Sequence, residues 1–186
     1  MPQDFSVRHL ASADAHARER AAADIHARGR ELVWPVLTEW RQNSKLGENL
    51  NATKPDITVG VAVRPETFTG IRAANDNPRL ADVPSDQDAI EFELRFPGEI
   101  RLDILSTKTP VGAGAIARFL EKFGEGIQQV EIKVRSVDAA TEILREQFRL
   151  APLYPATRPG ADGTRVNFFL AARPDGKKVL IELVEK

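Results

Sequence analysis

The chain has 186 residues, 42% of them hydrophobic and 28% charged, with a formal net charge of −1 and no cysteine. The near-neutral balance excludes a global basic field of the kind that recruits nucleic acid or an acidic membrane. The lack of cysteine excludes disulfides, thiolate metal sites and thiol nucleophiles.

The first stretch, MPQDFSVRHLASADAHARER, has no apolar core of a secretory signal, and Asp4, Asp14, Glu19 and Asp24 are acids that transit peptides avoid. No run reaches the roughly 18 apolar residues of a membrane span. The expectation is a cytoplasmic protein with no nucleic-acid and no membrane partner. Residues 12–32, SADAHARERAAADIHARGREL, predict a helix with Ser12 able to cap it. Its apolar residues are mostly alanine, which makes a thin core stripe and predicts a place on a surface or against a partner. Gly29 is a candidate end or kink. In ELVWPVLTEW (31–40), Leu32, Val33, Val36, Leu37 and Trp40 fall near helical spacing. Pro35 lacks an amide proton and belongs at a first turn or a kink. Residues 41–56 read as a polar loop.

From residue 57 the pattern changes. ITVGVAV (57–63) reads as a strand, a short helix begins at Pro65, and residues 75–78 turn. AIEFELRF (89–96) and EIRLDILS (99–106) alternate around Pro97-Gly98 and predict a hairpin. A glycine-bearing loop leads to a helix near 115–123, and IQQVEIKV (127–134) is the next strand. Residues 137–148 predict a helix capped by Ser136 or Asp138, with Ala140, Ile143, Leu144 and Phe148 as its buried stripe. RVNFFLAA (165–172) and KVLIELV (178–184) form a second hairpin around Arg-Pro-Asp-Gly. Residues 57–106 and 127–184 thus share one order: strand, helix, short strand, hairpin.

That doubled βαβββ order resembles the vicinal oxygen chelate superfamily, and within it the methylmalonyl-CoA epimerases. The likeness is carried by IRLDIL (100–105), AIARFLEKFGEGI (115–127), SVDAATEIL (136–144), RPGADGTRVNFFL (158–170) and VLIELVE (179–185). It implies an α+β fold, with two βαβββ modules forming a cup-shaped mixed sheet behind an N-terminal helical extension. The expected organisation is 1–50 helical extension, 51–110 first module and 111–186 second module.

The resemblance also implies a divalent metal held by one residue from each of four strands. Those positions fall on Thr58, Asp103, Gln129 and Glu182. Both family histidines are absent, since His9, His16 and His26 all lie in the extension. An oxygen-only set suits a hard ion such as Mg or Mn, and Co within the family, if any metal is bound. Strand alternation sets Gln129, Glu131 and Lys133 on one face, Arg101 with Asp103, and Arg165 with Asn167. If the apolar sets pack under helices, the cup floor carries Arg101, Asp103, Gln129, Glu131, Lys133, Asn167 and Glu182. Such a floor is either a salt-bridged network or the seat of a polar ligand.

Two functions are open on these residues. One is a lyase- or isomerase-type enzyme acting on a small polar or carboxylate-bearing substrate. In it Asp103 and Glu182 are the acid–base pair, and Arg101, Glu131, Lys133 and Asn167 bind substrate. The other is a non-catalytic small-molecule binding or sequestration protein on the same scaffold. The helical extension is a candidate surface for a homodimer or a partner. His16 and His26 are ten residues apart, a poor metal pair, and read as solvent-facing. VGAGAIARF (111–119) has the look of a phosphate cradle but lacks the Gly-Lys-Ser/Thr that would complete one.

Overall fold

The computed structural model describes residues 5–51 and 53–186. Helices α1 (Phe5–His9), α2 (Ala15–Trp40) and α3 (Ser44–Asn49) precede the first strand. The chain then runs β1 (Ile57–Ala62), α4 (Pro65–Ala74), β2 (Ile90–Phe96), β3 (Ile100–Ser106) and α5 (Ala115–Phe123). It continues as β4 (Gly126–Lys133), α6 (Val137–Gln147), β5 (Arg158–Pro159), β6 (Arg165–Ala172) and β7 (Lys178–Glu185). Two compact units compose it. One joins 58–128 to the N-terminal segment through Arg28, and the other joins Gly29–Ile57 to Gln129–Lys186.

In the first unit β1 pairs parallel with β3, and β2 pairs antiparallel with β3. Val59, Val61, Leu102, Ile104, Phe92 and Leu94 face one way and are buried. Phe68 and Ile71 of α4 complete that core, with the Phe68 and Phe92 rings edge-on at 4.7 Å. The tight hairpin uses Gly98 at φ 78° and Glu99 at φ 62°. The expected short strand before this hairpin does not form among the described residues. Ala81 N–H donates to Glu91 O where it would pair. The module is therefore βαββ, because residues 75–88 carry the turn and proline residues that interrupt a ladder.

In the second unit β4 pairs parallel with β7, β6 antiparallel with β7, and β5 antiparallel with β6. Val130, Ile132, Ile181, Leu183 and Phe169 are fully buried beside Ala140 and Leu144 of α6. Ser136, not Asp138, caps α6, its hydroxyl accepting from Ala139 N–H at 3.3 Å. Ile143 and Phe148 are only half-buried, and Val137 and Thr141 take their place in the stripe.

The helical segment departs most from expectation. Helix α2 runs through Gly29 and Pro35. Ala21, Ala22, Ile25, Val33, Val36, Leu37 and Trp40 are all buried. The thin alanine stripe is core rather than surface, because small side chains let a helix axis approach closely. His26 is 8% exposed, not solvent-facing, while His16 is exposed beside Glu19. Asn75 Nδ2 donates to Leu10 O, tying α4 to the chain just after α1 in the first unit. In the second, Trp40 meets Phe169 edge-on at 6.4 Å. Trp34 stays half-exposed, with the Arg41 guanidinium 4.9 Å above its ring.

Residues 44–49, expected as loop, form α3. Asn43 accepts from Leu46 N–H at 3.0 Å, and Leu46 and Leu50, four apart, are fully buried. Asn49 is the brace of this region. Its Oδ1 accepts from Arg135 N–H at 3.0 Å and Ser136 N–H at 3.1 Å, and its Nδ2 donates to Ser136 O at 3.0 Å. This fixes the turn that aims β4 and starts α6.

Candidate functional site

In the first unit the face away from α4 holds the polar residues. Pairing sets Asp103 between Gly60 of β1 and Glu93 of β2, and Arg101 across from Arg95. Glu93 is ion-paired with Arg95. Thr58 shares the Gly60 side of β1 and is 3% exposed, so its hydroxyl is shut away from solvent. Farther along this face, Ile116 and Leu120 of α5 cover Ala62 and Leu105.

In the second unit the corresponding face centres on Glu182. Gln129 Nε2 donates to Glu182 Oε2. Glu131 of β4 lies in register with Glu182 on one side, and Phe168 of β6 on the other. Lys133, exposed, continues the β4 row. Gln128 points opposite to Gln129, and its Oε1 is buried with no hydrogen-bond partner.

Asn167 is the clear correction. It shares a face with Phe169 and Ala171, in register with Leu183, and is fully buried. Its Nδ2 donates to Tyr154 O at 3.2 Å and its Oδ1 accepts from Phe168 N–H. The structure thus moves Asn167 off the polar floor and puts Phe168 there instead. Tyr154 reaches the same side, its ring edge-on to Phe168 at 5.9 Å, and Arg158 stacks 4.4 Å above Tyr154. The floor is therefore part apolar, not wholly charged. Sequence alternation missed this because RVNFFL carries apolar residues in both parities.

The residues present do not fit the divalent metal that the sequence resemblance implies. Among the described residues no three His, Cys, Asp or Glu side chains gather to hold an ion. Gln129 turns its amide N–H, a donor, toward Glu182, whereas a cation needs oxygen lone pairs converging on it. Within the second unit Gln129 and Glu182 offer one amide and one carboxylate, too few donors to hold a divalent ion. What Gln129 does supply is orientation for one Glu182 oxygen, with a second carboxylate alongside. Groups so placed can take and return a proton.

The glycine loop before α5 borders a recess of about 380 Å³ lined by Asp86, Asp88, Lys108, Thr109, Gly112 and Gly114. Thr107 donates to Asp88 Oδ2 at 2.8 Å. Two acids in the wall oppose an anion, in keeping with a connector. At the far edge of the second unit, Asp138 binds Arg165, and Arg165 binds Glu185 at 3.2 Å. The Thr157 hydroxyl first, and Arg165 second, hold the Asp138 carboxyl below its ordinary range.

No protein-family model and no curated protein matches the chain. Solved structures do. Methylmalonyl-CoA epimerase from Mycobacterium tuberculosis is 32% identical, over 69% of this chain and 85% of that one, with a TM-score of 0.55. A variant of the Streptomyces coelicolor methylmalonyl-CoA epimerase, bound to 2-nitronate-propionyl-CoA, is 24% identical over 69% and 94%, with a TM-score of 0.54. A hypothetical protein from Bacillus halodurans is 24% identical over 70% and 91%, with a TM-score of 0.53. The last two carry the fold alone.

Proposed function

The chain belongs to the vicinal oxygen chelate superfamily, as the methylmalonyl-CoA epimerases do, and from that premise we propose that it is a divergent isomerase- or lyase-type enzyme working by proton transfer. Its substrate is a small carboxylate-bearing molecule with an acidic carbon. The observation that carries this reading is the Gln129–Glu182 hydrogen bond with Glu131 in register beside it. A carboxylate oriented by an amide is a base held in one pose.

Glu182 takes the proton from the carbon, and the C–H electron pair moves into the adjacent carbonyl as an enolate. The protonated Glu182 then returns a proton to the same carbon, collapsing the enolate. Lys133, which continues the β4 row on the Glu182 face, is the cation that offsets the enolate charge. No step passes through a metal.

The test is proton NMR in D2O with a panel of 2-substituted malonyl and 3-oxoacyl thioesters, following loss of the proton on the carbon between the two carbonyl groups. Catalysed exchange is expected, and Glu182→Gln should slow it about 100-fold, the scale of a lost general base. Exchange equal to buffer for every thioester would overturn the enzyme reading. The second reading is a binding protein in which Gln129 and Glu182 only line the site. It would take over if thioesters bind without exchange.

A further inference from the structure

The open face of the second unit changes character across its strands. Its β4 row is Gln129, Glu131 and Lys133. The β7 row pairs Glu182 with Phe168 and Leu180 with Leu170. The β6 row is apolar, and beyond it Tyr154 lies edge-on to Phe168. Leu170 is 41% exposed and Tyr154 36%, so both offer apolar surface to solvent next to the carboxylate. Arg158 stacked on Tyr154 limits the freedom of that ring.

We infer that Phe168, Tyr154 and Leu170 seat the apolar part of the ligand, and that this chain takes carboxylates bearing an aryl or bulky alkyl group rather than short, wholly polar acids. This rests on the reading that the Glu182 face is the ligand site. The charge pattern sets the pose. The ligand's carboxylate goes to Lys133, away from Glu131 and Glu182, while its apolar body crosses Glu182 onto Phe168. Aromatic rings present a flat face and edge for such a body, and burial of that surface from water supplies the preference. Phe168 and Leu170 are thus specificity-determining residues, and Arg158 is a positioning residue acting through Tyr154.

The test is calorimetric titration of the full chain with 3-phenylpropionate and with propionate, which share a carboxylate and differ by the ring. The phenyl compound should bind at least tenfold tighter. Phe168→Ala should bring that ratio close to one, and Phe168→Leu should keep most of it. Arg158→Ala should lower the ratio partway. Leu170→Ser, at an exposed position, gives the same reading if Phe168→Ala fails to fold. Equal binding of the two acids, no binding of either, or a ratio untouched by these changes overturns the inference. A retained preference with no deuterium exchange on any thioester would remove the enzyme reading and leave the apolar seat standing. Exchange without the preference would do the reverse.

Discussion

The two modules place one carboxylate at the same point of their parallel strand pair and surround it differently. Asp103 has Gly60 on one side and Glu93 on the other, and Glu93 is engaged by Arg95. Glu182 has Glu131 on one side and Phe168 on the other, and Gln129 holds it. One surrounding is glycine and ion pairs, the other an amide, a second acid and an aromatic edge. The difference teaches that a repeated backbone does not repeat its chemistry. Register fixes which positions meet, and residue type alone decides whether the meeting point is inert or equipped. The modules also differ in bracing. The second has Asn49 and Trp40 from the preceding helices seated against it, and a short β5 that the first lacks.

The largest effect that bears on this contrast is in the cores. Phe169→Ala in the second unit and Phe92→Ala in the first should each cost about 3–5 kcal/mol by urea denaturation, the range for a buried phenylalanine. The second loss should also free Trp40, visible as a red-shifted tryptophan emission that Phe92→Ala does not produce. Equal emission changes in both variants would mean that Phe169 does not hold Trp40 in place.

Asn49→Ala sharpens the bracing argument at a smaller scale. It strips the side-chain partner from two backbone N–H groups and one carbonyl around Ser136, so a loss of about 2–3 kcal/mol is expected. Hydrogen exchange should rise first at the start of α6. Uniform exchange across the chain would mean that Asn49 is not a local brace.

The smallest effect concerns the outer edge of the second unit. Asp138 has a lowered carboxyl pKa in the folded chain, so its contribution is present above the ordinary carboxylate value of about 3.9 and is lost as pH falls through the lower folded value. The group is largely exposed, so solvent screening keeps the contribution under about 1 kcal/mol. Asp138→Asn should melt slightly below the parent at pH 7, the gap closing below pH ~4 and in molar salt. A gap that persists at low pH would assign the effect to something other than the Asp138 charge.

Much of the fold was legible because it is written locally. Alternation in AIEFELRF and EIRLDILS fixed a hairpin whose pairing, Phe92 with Ile104 and Leu94 with Leu102, follows directly from the turn. Glu182 was legible as a strand carboxylate. The floor was less legible. Alternation placed Gln129, Glu131 and Glu182 together but misplaced Asn167, since Phe168 and Phe169 are adjacent and either could be core. Leu46 and Leu50 at helical spacing were the one available sign of α3 in a polar stretch.

By itself, then, the sequence determined the order of elements and the apolar side of most strands, because period and turn chemistry are properties of neighbouring residues. Tertiary structure alone decided three things. It buried the alanine face of α2, because core membership depends on what packs against a face. It chose Phe168 over Asn167 for the open face, because the register with β7 settles parity. It gave Gln129 a carboxylate partner, Glu182, because a polar side chain takes its role from the group that folding brings within hydrogen-bond reach.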